Sequence, residues 1–210
     1  MGLFSPSKPN PPKTADKVWA THAECLRGVV TEALLAIKRS ELPVLITYFD
    51  TAHQELTHFL ASSSVPYVVA NAFIGRDAFH QKNMLVVMNA ADTGSLKNNI
   101  SKDTKLIFLF LGHYPLLATE DKILLTLSSD FPHVIISFFL AMEDPVFGLL
   151  GGEKFKPLFE TMGMKKDECI EHAMVTKAIR RALEKVSESV TSEMKATSEQ
   201  EWFTRNLKRS

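Results

Sequence analysis

The chain has 210 residues, of which 45% are hydrophobic, so it is long enough to bury a core as one large or two small domains. Lysine plus arginine equals aspartate plus glutamate at 24 each, and this balance gives no overall field that would select nucleic acid or an anionic membrane. The two cysteines are far apart in sequence, which excludes a disulfide framework and a cysteine metal motif.

No apolar run reaches the roughly 20 residues of a membrane span, and the first residues lack the long apolar core of a secretory signal. We therefore expect a cytoplasmic protein without a transmembrane segment. Residues 1–13 contain four prolines. They predict a disordered, extended tail, because proline removes amide donors and biases the preceding residue away from helix.

After this tail, the spacing of apolar residues predicts one helix and then alternating strands and helices. Thr14 or Asp16 is predicted to cap a first helix that runs to about Arg39, and Asp50 or Thr51 to cap a second. This second helix is predicted at 50–61. Further helices are predicted at 77–81 and 120–127, and strands at 44–48, 67–70, 84–88, 105–111 and 134–140. This alternation predicts an α/β domain in which a parallel sheet is covered on both faces.

The last third of the chain predicts two helices after the final strand. The shorter helix has apolar residues at i, i+3, i+4 and i+7, namely Phe155, Leu158, Phe159 and Met162. The longer helix begins near Glu171 and has helical propensity through Lys195. Its apolar stripe is Met174, Ala178, Ala182 and Val186.

Five stretches between residues 138 and 186 resemble a known family. They read FFLAMED at 138–144, LGGEK at 150–154, MGM at 162–164, IEHAMVTKAI at 170–179 and RALEKV at 181–186. In content and spacing they resemble the SecA preprotein translocase ATPase family, where its second helicase lobe passes into the long helical scaffold. A weaker resemblance extends over about 14–195.

The resemblance implies a three-layer RecA-like α/β fold of the P-loop NTPase second-lobe type, with a parallel sheet and a C-terminal helical extension. It implies a tail at 1–13, a RecA-like domain similar to the SecA second lobe at 14–170, and a helical extension at 171–210. In the family this lobe pairs with a first lobe to enclose ATP, and the pair moves precursor proteins through a membrane channel.

The chain departs from the family at the positions that act on ATP. It lacks the Gly-x-x-x-x-Gly-Lys-Ser/Thr loop that holds phosphates, and it lacks the acidic metal-binding motif of a first lobe. The segments that correspond to the arginine-bearing loops of the family fall at 89–95 and 122–130, and neither contains arginine. Because one arginine finger contributes about 10³–10⁵ in rate, we expect a degenerate lobe with no catalytic residues and no cofactor.

Two places are candidates for ligand binding. One is a polar turn that contains Asn89, Asp92, Thr93 and Gly94. The other is His113, which follows a buried strand at the expected carboxyl edge of the sheet, where α/β ligand sites gather. The alternatives are a plain turn and a histidine that caps the strand end. The histidine spacing in the second helix is not that of two metal ligands, so no metal site is predicted.

Basic side chains on the last predicted helix and two late aromatic side chains are candidates for partner binding. They are Lys177, Arg180, Arg181, Trp202 and Phe203. For the cations the alternative is a solvated helix face. For the aromatics the alternative is docking back onto the domain, because exposed pairs of large rings are uncommon.

The preferred hypothesis is a non-catalytic SecA-like protein that serves as an interaction or regulatory module linked to protein export. It predicts a protein partner, such as the translocation machinery, and no nucleic acid. One alternative is an accessory lobe that completes an ATPase site with a separate first lobe. Another is a small-ligand binder that uses the strand edge around residues 89–95 and His113.

Overall fold

The structure of the chain is a computed structural model that describes residues 15–71, 79, 83–101, 103–150 and 167–207. Within these residues, six parallel strands form one sheet in the order β1-β6-β5-β2-β4-β3. The strands are β1 (Ala15–Trp19), β2 (Leu42–Thr47), β3 (Tyr67–Ala70), β4 (Leu85–Asn89), β5 (Leu106–Leu111) and β6 (Ile135–Ala141). The predicted parallel sheet is confirmed.

Helices cover both faces of this sheet. They are α1 (His22–Lys38), α2 (Asp50–Ser62), α3 (Leu96–Asn99), α4 (Leu117–Asp130), α5 (Pro145–Leu149), α6 (Ala173–Ser189) and α7 (Glu199–Asn206), with a 3₁₀ helix at Ala90–Ser95. Buried side chains of α1 and α2 share one hydrophobic cluster with the sheet, and those of α3 to α6 share another. The result is the three-layer RecA-like α/β fold.

The central strands β2 and β5 are apolar on both faces because helices cover both sides of the sheet. Val44, Phe108 and Phe110 point into the cluster shared with α4, α5 and α6. Leu45 and Leu109 point into the cluster shared with α1 and α2. All five side chains are fully buried, which explains why these strands appear as uninterrupted apolar runs.

The first predicted helix is wrong in its first turns, because residues 15–19 form an edge strand. β1 pairs in parallel with β6. Its side chains alternate, so that Val18 lies in one hydrophobic cluster and Trp19 in the other, a period of two that belongs to a strand. Asp16 therefore does not cap a helix, and Thr14 lies outside the described residues.

α1 begins only after this strand and packs closely against it. Its N-cap is Thr21, whose hydroxyl accepts a hydrogen bond from the Glu24 amide at 3.3 Å. Gly28 of α1 faces the Trp19 ring so closely that a Cβ atom at this position would overlap the ring. Glycine is therefore required for α1 to lie on β1 at this distance.

The prediction that Asp50 or Thr51 caps α2 is also wrong. Phe49 occupies the N-cap and makes no side-chain capping bond. The Thr51 amide and hydroxyl instead donate to the carbonyl oxygen of Thr197, at 3.1 and 3.0 Å. The loop before α7 therefore supplies an acceptor that the first turn of α2 needs.

The last long helix is shorter than predicted. α6 ends at Ser189 rather than at Lys195, and the chain then turns back toward the sheet. Ile179 and Leu183 pack into the core beneath it. Met174, which was predicted in the apolar stripe, is 74% exposed.

Three predictions lie outside the described residues. They are the tail at 1–13, nearly all of the helix at 77–81 and the helix from Phe155 to Met162. Across the part of the chain that the structure does describe, no helix is both long and apolar enough to span a bilayer.

Candidate functional site

The carboxyl ends of the parallel strands meet at one edge of the sheet, and a cleft of about 360 Å³ opens there. Its walls come from the loops after β2, β5 and β6, from the first turns of α1 and α2, and from the start of α7. The lining residues are His22, Phe49, Thr51, Ala52, Glu55, Leu111, Gly112, His113, Glu143, Asp144, Pro145, Ser198, Glu199 and Gln200. Ligand sites of α/β proteins gather at this edge, so the cleft is the candidate functional site.

Acidic side chains dominate the lining, with Glu55, Glu143, Asp144 and Glu199 in it and no lysine or arginine among the described lining residues. The His22 amide donates to Glu143 Oε2 at 2.8 Å. The His22 ring lies 3.1 Å from Glu55 Oε2 and 3.6 Å from Asp144 Oδ1. The Asp144 carboxylate, helped by the Glu55 carboxylate, raises the pKa of His22 above its ordinary value. The ring thus ties α1 to α2 and to the loop after β6.

Glu199 brings a further carboxyl group to the cleft from the first position of α7. Burial raises the pKa of Glu199 well above its ordinary value, and the Asp144 carboxylate adds to that shift. A carboxyl group that keeps its proton reduces repulsion among neighbouring carboxylates. The cleft therefore favours a proton or a cation over an anion. Among the described residues, no three acidic, histidine or cysteine side chains are arranged to hold a metal ion.

His113 is held between two carboxyl groups from different elements. Its Nδ1 lies 3.0 Å from both carboxylate oxygens of Glu120 in α4, and its Nε2 faces Asp16 Oδ1 of β1 at 3.3 Å. The ring stacks on Phe138 of β6, with centroids 4.0 Å apart. Gly112, with φ of +81°, makes the turn that aims His113 back into the protein. The predicted position of His113 at the carboxyl edge is confirmed.

The neighbours of His113 decide its protonation. Burial lowers the pKa of His113, but Glu120 and Asp16 outweigh burial and raise the pKa to about 10. The imidazole is therefore protonated at neutral pH, and a protonated imidazole cannot act as a general base. The cluster of Asp16, His113 and Glu120 is a buried ionic link between β1, the end of β5 and α4.

α7 covers aromatic side chains at the ends of β2 and β5. Trp202 is fully buried, and its Nε1 donates to Glu193 Oε1 at 2.6 Å. The Tyr114 hydroxyl donates to the same oxygen of Glu193. Tyr114 stacks on Phe49, with centroids 5.8 Å apart, and Phe203 packs in the same cluster. The two late aromatics therefore dock back onto the domain, which is one of the two predicted alternatives.

The predicted ligand residues of the polar turn are not in the cleft. Asn89 accepts a hydrogen bond from the amide two residues on, at 3.0 Å, and the buried Thr93 hydroxyl donates to the carbonyl three residues back, at 2.7 Å. Asp92 is half-buried and Gly94 is exposed. These bonds stabilise the 3₁₀ helix itself, and the structure does not bring this turn together with His113 in one cavity. Ligand binding by these residues stays a prediction.

The segment predicted to correspond to an arginine-bearing loop of the SecA family is part of a core helix. Residues 122–130 lie in α4, and Leu124 and Leu127 are buried in the main hydrophobic cluster. Lys122 is exposed and does not line the cleft. No guanidinium group in the described residues lines the carboxyl edge of the sheet at the cleft.

The predicted basic face lies on α6, away from the lining of the cleft. Arg180 pairs with Asp121 of α4 at 3.1 Å. Lys177 and Arg181 are exposed, and neither forms an ion pair with a residue that the structure describes. Partner binding by this face stays a prediction.

The sequence signals only part of this site. The pair Glu143 and Asp144 directly follows a predicted strand, so it can be placed at the carboxyl edge. Glu55 and Glu199 reach the cleft from two helices whose positions depend on packing. Asp16 is missed because β1 is predicted as helix, and residues 15–19 give no period-two signal, since Asp16 and Lys17 interrupt the apolar residues.

No protein-family model matches the chain. The chain is similar to the protein translocase subunit SecA of Syntrophobacter fumaroxidans, with 30% identity over 190 residues, which is 82% of this chain and 22% of that protein. The SecA subunit of Desulfovibrio desulfuricans is 28% identical over 187 residues, and that of Lachnoclostridium phytofermentans is 26% identical over 190 residues. These alignments cover 81% and 83% of this chain and 21% of each relative.

The chain spans about a fifth of the length of the curated relatives it matches. The similarity runs through most of the chain and accompanies a three-layer RecA-like fold. The resemblance to SecA and the fold that it implies are therefore both confirmed. The chain is therefore homologous to a segment of the SecA protein translocase subunit.

Proposed function

We propose that the chain is a non-catalytic SecA-like module that works by binding a protein partner, in the setting of protein export. The observation that supports this proposal is the chemistry of the cleft at the carboxyl edge. Glu55, Glu143, Asp144 and Glu199 line it, and no described lining residue is lysine or arginine. The proposal includes a cytoplasmic location, where a precursor protein and a translocase would meet.

A triphosphate does not fit this cleft. Phosphate sites in proteins use backbone amides at a helix N-terminus together with lysine or arginine, because these groups offset the negative charge of the phosphates. Here the amide of His22 at the start of α1 already donates to Glu143. The carboxylates would repel each phosphate oxygen, and their field favours a cation.

The position of α7 is a second reason to propose that no nucleotide binds here, because α7 restricts access to the carboxyl edge. The side chains of Trp202 and Phe203 are buried against Phe49 and its aromatic neighbours. The loop before α7 is also bonded to the first turn of α2 through Thr51. A second lobe that approaches this edge to share a nucleotide would have to accommodate the start of α7, which lines the cleft. This packing favours a binding module over an accessory ATPase lobe.

The accessory-lobe alternative is tested by phosphate release. The chain is assayed with ATP and Mg²⁺, alone and mixed with a separately expressed Walker-A-containing lobe of a SecA protein. We expect the mixture to release no more phosphate than the lobe mixed with an unrelated protein of equal size. Lys122→Ala, an exposed change on α4, is the control variant. Stimulated release above that of the mixture with the unrelated protein would overturn the non-catalytic role and support the accessory lobe, and Lys122→Ala should not change it.

A further inference from the structure

A second concave surface lies on the face of the sheet that α5 and α6 cover. It is a groove of about 410 Å³ that runs along α6, between α5 and the end of α7. Its described lining residues are Leu149, Leu150, Ala178, Arg181, Ala182, Lys185, Val186, Ser189 and Leu207. The floor is apolar, and Leu149 at its rim is 45% exposed.

The described charged residues that line this groove all carry positive charge. Arg181 and Lys185 are one helical turn apart on α6 and both line it. Both are exposed, and neither forms an ion pair with any residue in the described part of the chain. Arg180, which is next to Arg181 in sequence, differs because Asp121 neutralises it. No carboxylate is among the described lining residues of the groove.

The geometry points to a docking site for an acidic amphipathic helix of a partner protein. Helix-binding grooves hold apolar side chains at i, i+3, i+4 and i+7, and charged side chains at the edge of the helix set orientation and specificity. Arg181 and Lys185 have the spacing that two glutamates on one side of a helix would match. The size of the groove suits a few apolar side chains of such a helix.

The same cations beside apolar residues would also attract an anionic membrane surface, but the shape favours a helix. Membrane-surface helices bury apolar side chains that protrude from the protein. In this groove Ala178, Ala182 and Val186 form a concave floor, which receives side chains rather than inserting them. This inference rests on the proposed binding role and names the chemistry of the partner.

A designed peptide tests the inference directly. The probe is a fluorescent helix of about 18 residues, long enough to be helical when bound, with leucines at i, i+3, i+4 and i+7 and flanking glutamates. We expect saturable binding to the full chain by fluorescence anisotropy. The variant with both Arg181→Glu and Lys185→Glu should bind roughly tenfold more weakly, because both attractive charges become repulsive.

The matched control carries the same change in charge at two exposed lysines elsewhere, Lys38→Glu with Lys97→Glu. It should bind the acidic peptide as the wild type does, and a melting curve should show that both double variants are folded. Ala178→Trp, which fills the groove without changing charge, should also weaken binding. These results together would support the docking site.

Three results would overturn it. One is the absence of saturable binding of the acidic peptide, and another is equal binding of a peptide in which lysines replace the glutamates. The third is binding of the chain only to vesicles that contain phosphatidylglycerol. Failure of the groove is distinguishable from failure of the non-catalytic role, because the latter is decided by phosphate release and nucleotide binding at the acidic cleft, whose described lining shares no residue with the groove.

Discussion

His113 connects three secondary-structure elements at the carboxyl edge of the sheet. It meets β1 through Asp16, α4 through Glu120 and β6 through Phe138. Its side chain is 8% exposed, so water replaces none of these contacts when one is lost. Removal of one member of a buried ionic cluster leaves an uncompensated charge, which typically costs about 3–5 kcal/mol.

We expect stability to fall as the pH rises from about 7 to about 9.5. The folded-state pKa of His113 is raised from 6.5 to about 10, so its contribution is complete below pH 6.5 and is lost as the pH approaches 10. In this window the free energy of unfolding should fall by up to about 1.4 kcal/mol per pH unit, since one proton is released on unfolding. Urea denaturation at several pH values measures the slope.

The controls separate His113 from the other histidine with a raised pKa. His113→Gln should be less stable at pH 7 and should lose the slope between pH 7 and 9.5. His22→Gln should keep most of that slope, because it leaves His113 in place between Asp16 and Glu120. Parallel curves for the wild type and His113→Gln would show that the imidazole is not charged in the folded protein.

At the scale of the element, α7 is the piece of structure that covers the carboxyl edge. Trp202 is its anchor because its ring is fully buried and its Nε1 is bonded to Glu193. Asn206 ties the end of the helix to the preceding loop by accepting from the Met194 amide at 2.6 Å and donating to the Met194 carbonyl at 2.9 Å. The helix and its loop therefore form one closed unit.

Trp202→Ala should release this unit from the sheet. Truncation of a buried tryptophan costs about 3–5 kcal/mol. The amides of α7 should then exchange with deuterium roughly a hundredfold faster, while those of β2 and β5 keep their protection. Thr204→Ala, an exposed change on the same helix, should alter neither the stability nor the exchange of the α7 amides. Equal exchange in the two variants would mean that the tryptophan does not hold α7 in place.

The elements with the strongest local signal were predictable from the sequence. β2 and β5 are apolar runs that lie buried on both faces, so their pattern needed no knowledge of the fold. The position of His113 followed from the strand before it. β1 was not predictable in the same way, because it is a short edge strand whose partner β6 lies more than a hundred residues later and because Asp16 and Lys17 interrupt its apolar residues.

The end of α6 and the lining of the cleft could not be predicted from the sequence, for a second reason. Ser187, Ser189 and Thr191 compete with the helix for backbone hydrogen bonds, so propensity falls gradually and gives no sharp end. The true end at Ser189 allows Glu193 to bond Trp202, a contact set by tertiary packing. Glu199 reaches the cleft only as a result of that turn, so the acidic lining could not be read from local pattern.

At the scale of the whole molecule, formal charge is balanced but its distribution is not. The chain has equal numbers of acidic and basic residues. Carboxylates collect in the cleft at the carboxyl edge, and unpaired cations collect at the groove along α6. We therefore expect the two surfaces to select ligands of opposite charge, in line with the proposal of a RecA-like module that binds a partner and holds no nucleotide.

Titration of the full chain with ATP and Mg²⁺ by isothermal calorimetry tests this account most directly. At nucleotide concentrations up to about 1 mM, where even a weak site with a binding free energy near −4 kcal/mol is half filled, we expect only heats of dilution. Saturable heat would contradict the account, because it would mean that the acidic carboxyl edge accepts a triphosphate.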